Sequence, residues 1–520
     1  MPFEKELSEL VRRRSRVYEM GGAQKIQKHH DKGKLTARER VEKLLDRDSF
    51  LEIGAFNHSD MPGMHDKTPA DSTVAGYGKV DGRRVIVLAD DFTVLAATSS
   101  RVAIRKENEL KLEASRSGFP LIYLAESGGA RMPDIMGSRG LASFGGGGSD
   151  TQLHHMTRVR RSPMVTAILG ECFGNPIWMA SLSDFVVQTR GSSMAVSGPR
   201  ILKLALGESV TNEELGGCQV HGEITGMSDC IAEKEEDCYQ LIGRYLSYMP
   251  SNCDELPPDA EVPEGSGSDM DLILEYLPEK PNRSYDMNRI LECIADEGSL
   301  FPIKAIFGIT VITALARVAG KVIGIVANQP MFRAGAMDTD GIDKVISFLC
   351  LCDSFNIPVV FFHDTPGFLV GKEAERRRVG AKVINYMNAI AQMTVPKISI
   401  IVRKTYGMAF WNMGGSGCGT NFLVAWPTAE MSFVAPEIAA NVVYGGKVSE
   451  SERGPEQWNR LIRKMKDDAS PYGAAGMHYI HEIIDPRQTR NYIAEAMEIF
   501  RESRTKGLGE HKLANWPTKF

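Results

Sequence analysis

Apolar residues in this chain gather in short unbroken runs instead of alternating with polar ones. Val85–Leu88, Leu121–Leu124 and Val165–Leu169 are such runs, rich in valine, isoleucine and leucine. Runs of that length predict strands buried on both faces, as in a parallel sheet covered by helices. Longer stretches of helical character separate them, Arg101–Arg116 in the first half and Ile342–Phe355 in the second. Strand, helix, strand in this order predicts an α/β fold. Nearer the start, Thr36 and Glu39 form a capping-box pattern that opens an amphipathic helix through TARERVEKLLD.

The pattern occurs twice. Gly82 in KVDGRRVIVLAD matches Gly320 in RVAGKVIGIVAN, and Pro120 in GFPLIYLAESGG matches Pro358 in NIPVVFFHDTPG, each 238 positions on. Pro163 matches Pro396 at an offset of 233, and Asp184-Phe185-Val186 matches Asn421-Phe422-Leu423 at 237. Anchors in one order near one offset indicate an internal duplication. Between the copies, from about Met249 to Asp271, the chain turns rich in Pro, Gly, Ser and acid, which reads as a linker. The expected division is into residues 1–260 and 261–520.

Composition narrows the classes. A length of 520 residues suits two domains. A net charge of −5 makes no global case for nucleic acid or an anionic membrane. The nine cysteines form no Cys-x-x-Cys pair, so reduced thiols are expected and no metal is expected. No apolar run approaches a membrane span, and the first residues are charged, unlike a signal peptide. A cytoplasmic protein is the expectation.

Candidate chemistry rests on backbone amides. In each copy a strand runs into a glycine that opens a helix: Phe173-Gly174-Asn175-Pro176, then Tyr406-Gly407-Met408-Ala409. Amides there can face a cavity and bind an oxyanion. A second loop, Ser127-Gly128-Gly129-Ala130-Arg131, can bring backbone close to a ligand, and Arg131 is a candidate partner for a phosphate. Gly145–Gly148 is a further glycine run, and His154 with His155 is a weak metal candidate because neighbours point apart. Lys464-Met465-Lys466 and Glu375-Arg376-Arg377-Arg378 read as solvated faces. Neither a phosphate-binding Gly-x-x-x-x-Gly-Lys loop nor a Gly-x-Ser-x-Gly elbow occurs.

The motifs GKLTARERVEKLLD, GYGKVDGR, DFTVL, ESGGAR, EELGG, MPSN, GIVANQP, DTPGF, VPKISIIVRKTYG and AWPTAE, in this order from Gly33 to Glu430, resemble the carboxyltransferase subunits of biotin-dependent acyl-CoA carboxylases, the propionyl-CoA carboxylase beta-subunit type. The resemblance implies two tandem crotonase-like domains. Acyl-CoA would bind the N-terminal half of one subunit and carboxybiotin the C-terminal half of its neighbour, in a ring of six and at least in a dimer. The biotin would be carried by a biotin carboxylase or biotin carboxyl carrier subunit, not by this chain. It implies a thioester enolate held by Gly174 and Asn175, and a ureido oxygen held by Met408 and Ala409. Ser127, Gly128, Gly129, Ala130, Arg131, Phe173, Gly407, Phe410 and Trp411 would line the substrates. A decarboxylase subunit and a non-catalytic scaffold share the fold and are the competing readings.

Three departures stand out. The family has Ala-Gly-Gly-Ala where this chain has Phe173–Pro176, and DFTVLGGS where it has Asp91–Thr98. Gly-Gly-Ala-Tyr-Asp is here Gly407–Trp411. The last position helps select the acyl chain in the family, so substrate identity is expected to turn on Trp411.

Overall fold

The computed structural model describes residues 3–138, 140, 157–444, 455–501 and 511–516; Gly145–Gly148 and the His154–His155 pair lie outside them. The described residues form two compact units, Met1–Glu255 and Leu256–Trp516.

In the first unit the strands are β1 (Leu51–Glu52), β2 (Thr73–Val80), β3 (Arg83–Asp90), β4 (Leu121–Ser127), β5 (Met164–Phe173), β6 (Phe185–Thr189), β7 (Ser193–Ala195) and β8 (Cys230–Ala232). They lie in the order β1-β2-β3-β4-β5-β6-β8, with β7 paired to the end of β5. The pairs β1–β2 and β2–β3 are antiparallel and the remainder parallel. The second unit repeats this with β9 (Phe301–Ile303), β10 (Val311–Val318), β11 (Lys321–Asn328), β12 (Val359–Thr365), β13 (Lys397–Tyr406), β14 (Phe422–Ala425), β15 (Glu430–Ser432) and β16 (Glu482–Ile483). Their order is β16-β14-β13-β12-β11-β10-β9, with β15 on the end of β13.

Each sequence anchor has a structural task. Asp81-Gly82 and Ala319-Gly320 turn the β2–β3 and β10–β11 hairpins with positive φ at both residues (49° and 77°, 52° and 79°), the geometry of a tight hairpin. Pro120 and Pro358 precede β4 and β12. Their missing N–H costs nothing at that edge, and their carbonyls accept from Ile86 and Gly324 to start the parallel ladder. Pro163 and Pro396 do the same ahead of β5 and β13.

The helices follow the pattern with shifted ends. The first runs Arg101–Ser117, capped by Ser100, whose Oγ accepts from Ala103 N–H, and closed by Gly118 at φ 68°. Its counterpart runs Thr339–Ser354, three residues earlier than the apolar signal begins, because Asp338 caps it. Thr36 and Glu39 make both bonds of the capping box ahead of Ala37–Leu44. All nine cysteines are free, and the Lys464–Lys466 stretch lies on a helix with both lysines exposed.

One cross-brace is duplicated too. Lys106 Nζ donates to the carbonyls of Ala70 (2.8 Å) and Thr73 (2.6 Å), and Lys344, 238 positions on, to those of Phe307 (3.0 Å) and Val311 (2.7 Å). Each buried ammonium ties its helix to the entrance of the second strand of its sheet. Burial pushes their pKa values down to about 8 and about 7.

Candidate active site

In both units the fourth strand of the repeat loses register one residue before its glycine loop. The pairing of β4 with β5 slips between Ala125 and Ser127, and that of β12 with β13 between His363 and Thr365. Such an irregularity re-aims the chain at a sheet's end. Ser127 then turns the loop inward: its Oγ donates to Ala97 carbonyl (2.7 Å) and accepts from Gly129 N–H (3.2 Å). Thr365 Oγ1 accepts from Gly367 N–H (3.1 Å) in the same way.

A left-handed turn supports the loop. Leu95, Ala96 and Ala97 have φ 51°, 54° and 47°, and Arg333, Ala334 and Gly335 have 50°, 55° and 81°. Gly128 N–H donates to Ala96 carbonyl at 2.8 Å, and bridges Ser99–Ala130 and Met337–Phe368 complete the match.

The strand-ending glycines bring the two motifs together within each unit. Gly174, at φ 73° and ψ −111°, caps the helix Asn175–Leu182. A Cβ placed on it would lie 3.9 Å from Gly129 Cα, and one on Gly129 would lie 3.6 Å from Phe173 carbonyl. Gly407, at φ 59° and ψ −142°, opens the helix Met408–Asn412, and a Cβ on Gly367 would lie 3.9 Å from Tyr406 carbonyl. These dihedrals suit glycine alone.

What the glycines themselves offer differs from the sequence reading. Gly174 N–H donates to Ala195 carbonyl (3.1 Å) and Gly407 N–H to Ser432 carbonyl (3.0 Å). Short β7 and β15 therefore occupy the glycine amides, and the glycine's part is to turn the next peptides. After Gly407 these are the N–H groups of Met408 and Ala409, which open a helix and have no intrahelical acceptor. After Gly174 the chain reads Asn175 then Pro176, and Pro176 carries no N–H, so this turn lacks the second donor of the other.

Buried ion pairs stand behind each loop. Glu126 lies against Arg40 (2.6 Å) and His29 (3.4 Å), and Arg40 also pairs with Glu235 (2.8 Å). Burial works against the Glu126 charge, but Arg40 and His29 outweigh it and hold its pKa below the usual carboxylate value. Asp364, 238 positions on, accepts from Arg403 Nε (2.8 Å) and Tyr285 hydroxyl (2.9 Å).

Some expected lining residues face elsewhere. Arg131 is buried, with its guanidinium on Asp71 (2.6 Å) and Ser72 Oγ (2.9 Å), which makes it a clamp on the loop and takes it away from a phosphate. Phe173 is buried against Gly198, and Phe410 packs on the cluster of Ile401, Leu423 and Ala425. Met408 and Trp411 are the exposed pair, at 40% and 38%, with the Trp411 ring edge-on to Phe410 at 5.7 Å. Sequence reasoning did not single out Glu107, whose Oε2 accepts from Asn175 Nδ2 at 2.8 Å. Its one signal was an acid on the apolar face of a helix, at the position that Val345 holds in the repeat.

The model of the carboxyl transferase domain matches residues 28–512. The propionyl-CoA carboxylase carboxyltransferase subunit of Haloferax mediterranei is 34% identical over 531 residues, covering 99% of this chain and 100% of its own. The methylmalonyl-CoA decarboxylase alpha subunit of Propionigenium modestum is 33% identical and covers 99% of both. Among solved structures, the transcarboxylase 12S subunit, described as a hexamer with hydrolysed methylmalonyl-coenzyme A bound, superposes with a TM-score of 0.88 at 31% identity over 97% of each chain.

Proposed function

The chain belongs to the carboxyl transferase family, and from that premise we propose that it is the carboxyltransferase subunit of a biotin-dependent acyl-CoA carboxylase. It moves a carboxyl group between biotin on a partner chain and the α-carbon, or a vinylogous carbon, of an acyl-CoA. The observation that supports this reading is the duplicated turn, in which Gly174 and Gly407 spend their own amides on β7 and β15 and the next residues open a helix.

Removing a proton beside a thioester places negative charge on the carbonyl oxygen. An amide aimed at that oxygen is worth on the order of 3 kcal/mol in the transition state. The Asn175 N–H, oriented by Gly174, takes that role in the first repeat, and the Ser127–Arg131 loop beside it forms the wall along which the thioester lies. In the second repeat the adjacent Met408 and Ala409 N–H groups suit one carbonyl oxygen of a neutral ring, and exposed Met408 and Trp411 give it apolar walls. A ureido ring fits that donor set. Carboxybiotin, when its carrier docks, supplies carbon dioxide and then a basic ureido nitrogen for the α-proton. The residues of this chain hold oxygens and shape the walls, and no side chain of the turns need act as base.

The acyl-CoA half and the biotin half are expected to come from different copies, in a dimer at least and a ring of six by the family's arrangement, with a biotin carboxylase or biotin carboxyl carrier subunit as partner. Among the described residues no helix is long and apolar enough to cross a membrane. Decarboxylase subunits match as well as carboxylase subunits do, so the direction is set by the company: an ATP-dependent biotin carboxylase, or a sodium-pumping membrane subunit. The test is transfer from malonyl-CoA or methylmalonyl-CoA to free biotin by the purified chain, followed as biotin-dependent loss of the acid. No biotin-dependent turnover with these or with longer and branched carboxyacyl-CoAs overturns the reading.

A further inference from the structure

Glu107 lies on the buried face of the helix Arg101–Ser117, only 3% exposed. Val345 occupies the matching place in the second repeat, also buried. The fold thus accepts a plain apolar side chain there, and a carboxyl in its stead costs desolvation. Burial pushes Glu107 up to about 7, against the opposing hydrogen bonds of Asn175 and Thr73 and the charge of Lys106. Its bond to Asn175 Nδ2 reaches the residue that follows Gly174. In the second repeat that residue is Met408, whose side chain has no such donor, and it is exposed. Acid and amide are therefore both particular to the first repeat.

The direction of the Asn175 N–H depends on ψ of Gly174 and φ of Asn175. Glycine leaves that peptide plane soft. An anchor on the Asn175 side chain removes much of the freedom. We infer that Glu107 is a positioning residue: by holding the Asn175 side chain it keeps the following turn's amide aimed at the enolate oxygen. This rests on the preceding reading, in which the Asn175 amide meets that oxygen.

The test is a binding cycle on the full chain with two probes: the nitronate of a nitroalkyl-CoA, whose anionic oxygens copy a thioester enolate, and CoA itself. Glu107→Leu removes the carboxyl to which Asn175 Nδ2 donates, and we expect it to weaken nitronate binding by roughly 10-fold or more while changing CoA binding less than about threefold. Glu107→Gln keeps an acceptor and restores the affinity to within about threefold. Glu107→Leu with Asn175→Gly removes the anchor from both ends, and we expect it to bind the nitronate no better than Glu107→Leu. Equal nitronate affinity in Glu107→Leu and the wild type, or a double variant that recovers the wild-type affinity, overturns the positioning role and leaves the enolate site standing. A wild-type chain that binds the nitronate no better than CoA overturns the enolate site, and the positioning role with it. Parallel loss of CoA binding in Glu107→Leu assigns the residue to the fold and overturns the inference.

Discussion

At the scale of the residue, position in the sequence and direction in space part company at Phe410 and Trp411. Neighbours on a five-residue helix, they differ in surroundings: Phe410 packs on a buried cluster and Trp411 stays 38% exposed. An exposed indole adds little to the core and offers a flat apolar wall to an acyl chain. Trp411→Ala is therefore expected to change the ratio of kcat/KM between short and long acyl-CoAs by roughly 10-fold, the worth of a few lost contacts, with the melting temperature unchanged. A uniform loss across chain lengths with lowered melting temperature would place the indole in the core instead. Glu107 carries a different signature. Its carboxyl is raised from 4.5 to about 7 in the fold by burial. The folded chain then keeps a proton that the unfolded chain releases, so this group's contribution to stability falls as pH rises from about 4.5 to about 7, by roughly 3 kcal/mol in all. Lys106, lowered to about 8 by burial, acts in the opposite sense, with stability rising above that pH. Glu107→Gln lacks the acid's slope, so calorimetry should find it gaining on the wild type between pH 5 and pH 7.5. Parallel melting curves at both pH values would count against a neutral buried carboxyl.

At the scale of the element, the left-handed turn Leu95–Ala97 is the strained part of the machinery. Alanine at φ 54° in Ala96 costs on the order of 1 kcal/mol that glycine does not. The turn holds because Gly128 N–H and Ser127 Oγ bond its carbonyls. Ala96→Gly is expected to raise stability by up to about 0.5 kcal/mol after the entropy of a freer unfolded chain is subtracted, read as a higher melting temperature of the first unit. A fall would mean that the alanine methyl contributes more by packing than its backbone loses. The strands themselves were readable because parallel strands buried on both faces need unbroken apolar runs. The short β7 and β15 were not, since three residues carry no periodicity, yet they decide which amides remain for chemistry.

At the scale of the whole molecule, the duplication organises everything else. Lys106 and Lys344, like Glu126 and Asp364, repeat at an offset of 238, and the turns at Gly174 and Gly407 at 233. The repeats differ at Asn175-Pro176 against Met408-Ala409 and at Glu107 against Val345, the positions on which the proposed division of chemistry rests. The biotin is expected on a partner, so the purified 57.3 kDa chain should show no streptavidin reactivity, and a biotinylated lysine found on it by mass spectrometry would overturn the partner model. An assembly of at least two copies is expected in sedimentation, and an active monomer would refute sites shared between copies.

The sequence by itself determined the repeat, the α/β class, the buried strands and the family, because these rest on local signals: apolar runs, prolines at strand entrances, glycines in hairpins and ordered motifs. It also singled out Gly174 and Gly407, which end a strand and open a helix in the fold. Only the tertiary structure decided which groups face the site. Arg131 turned from a phosphate partner into a clamp because Asp71, far away in sequence, meets its guanidinium. The glycine amides were taken by β7 and β15, and Glu107 found Asn175 across 68 residues of chain. Hydrogen-bond partners are set by which elements pack together, and a one-dimensional pattern holds the elements without the pairings.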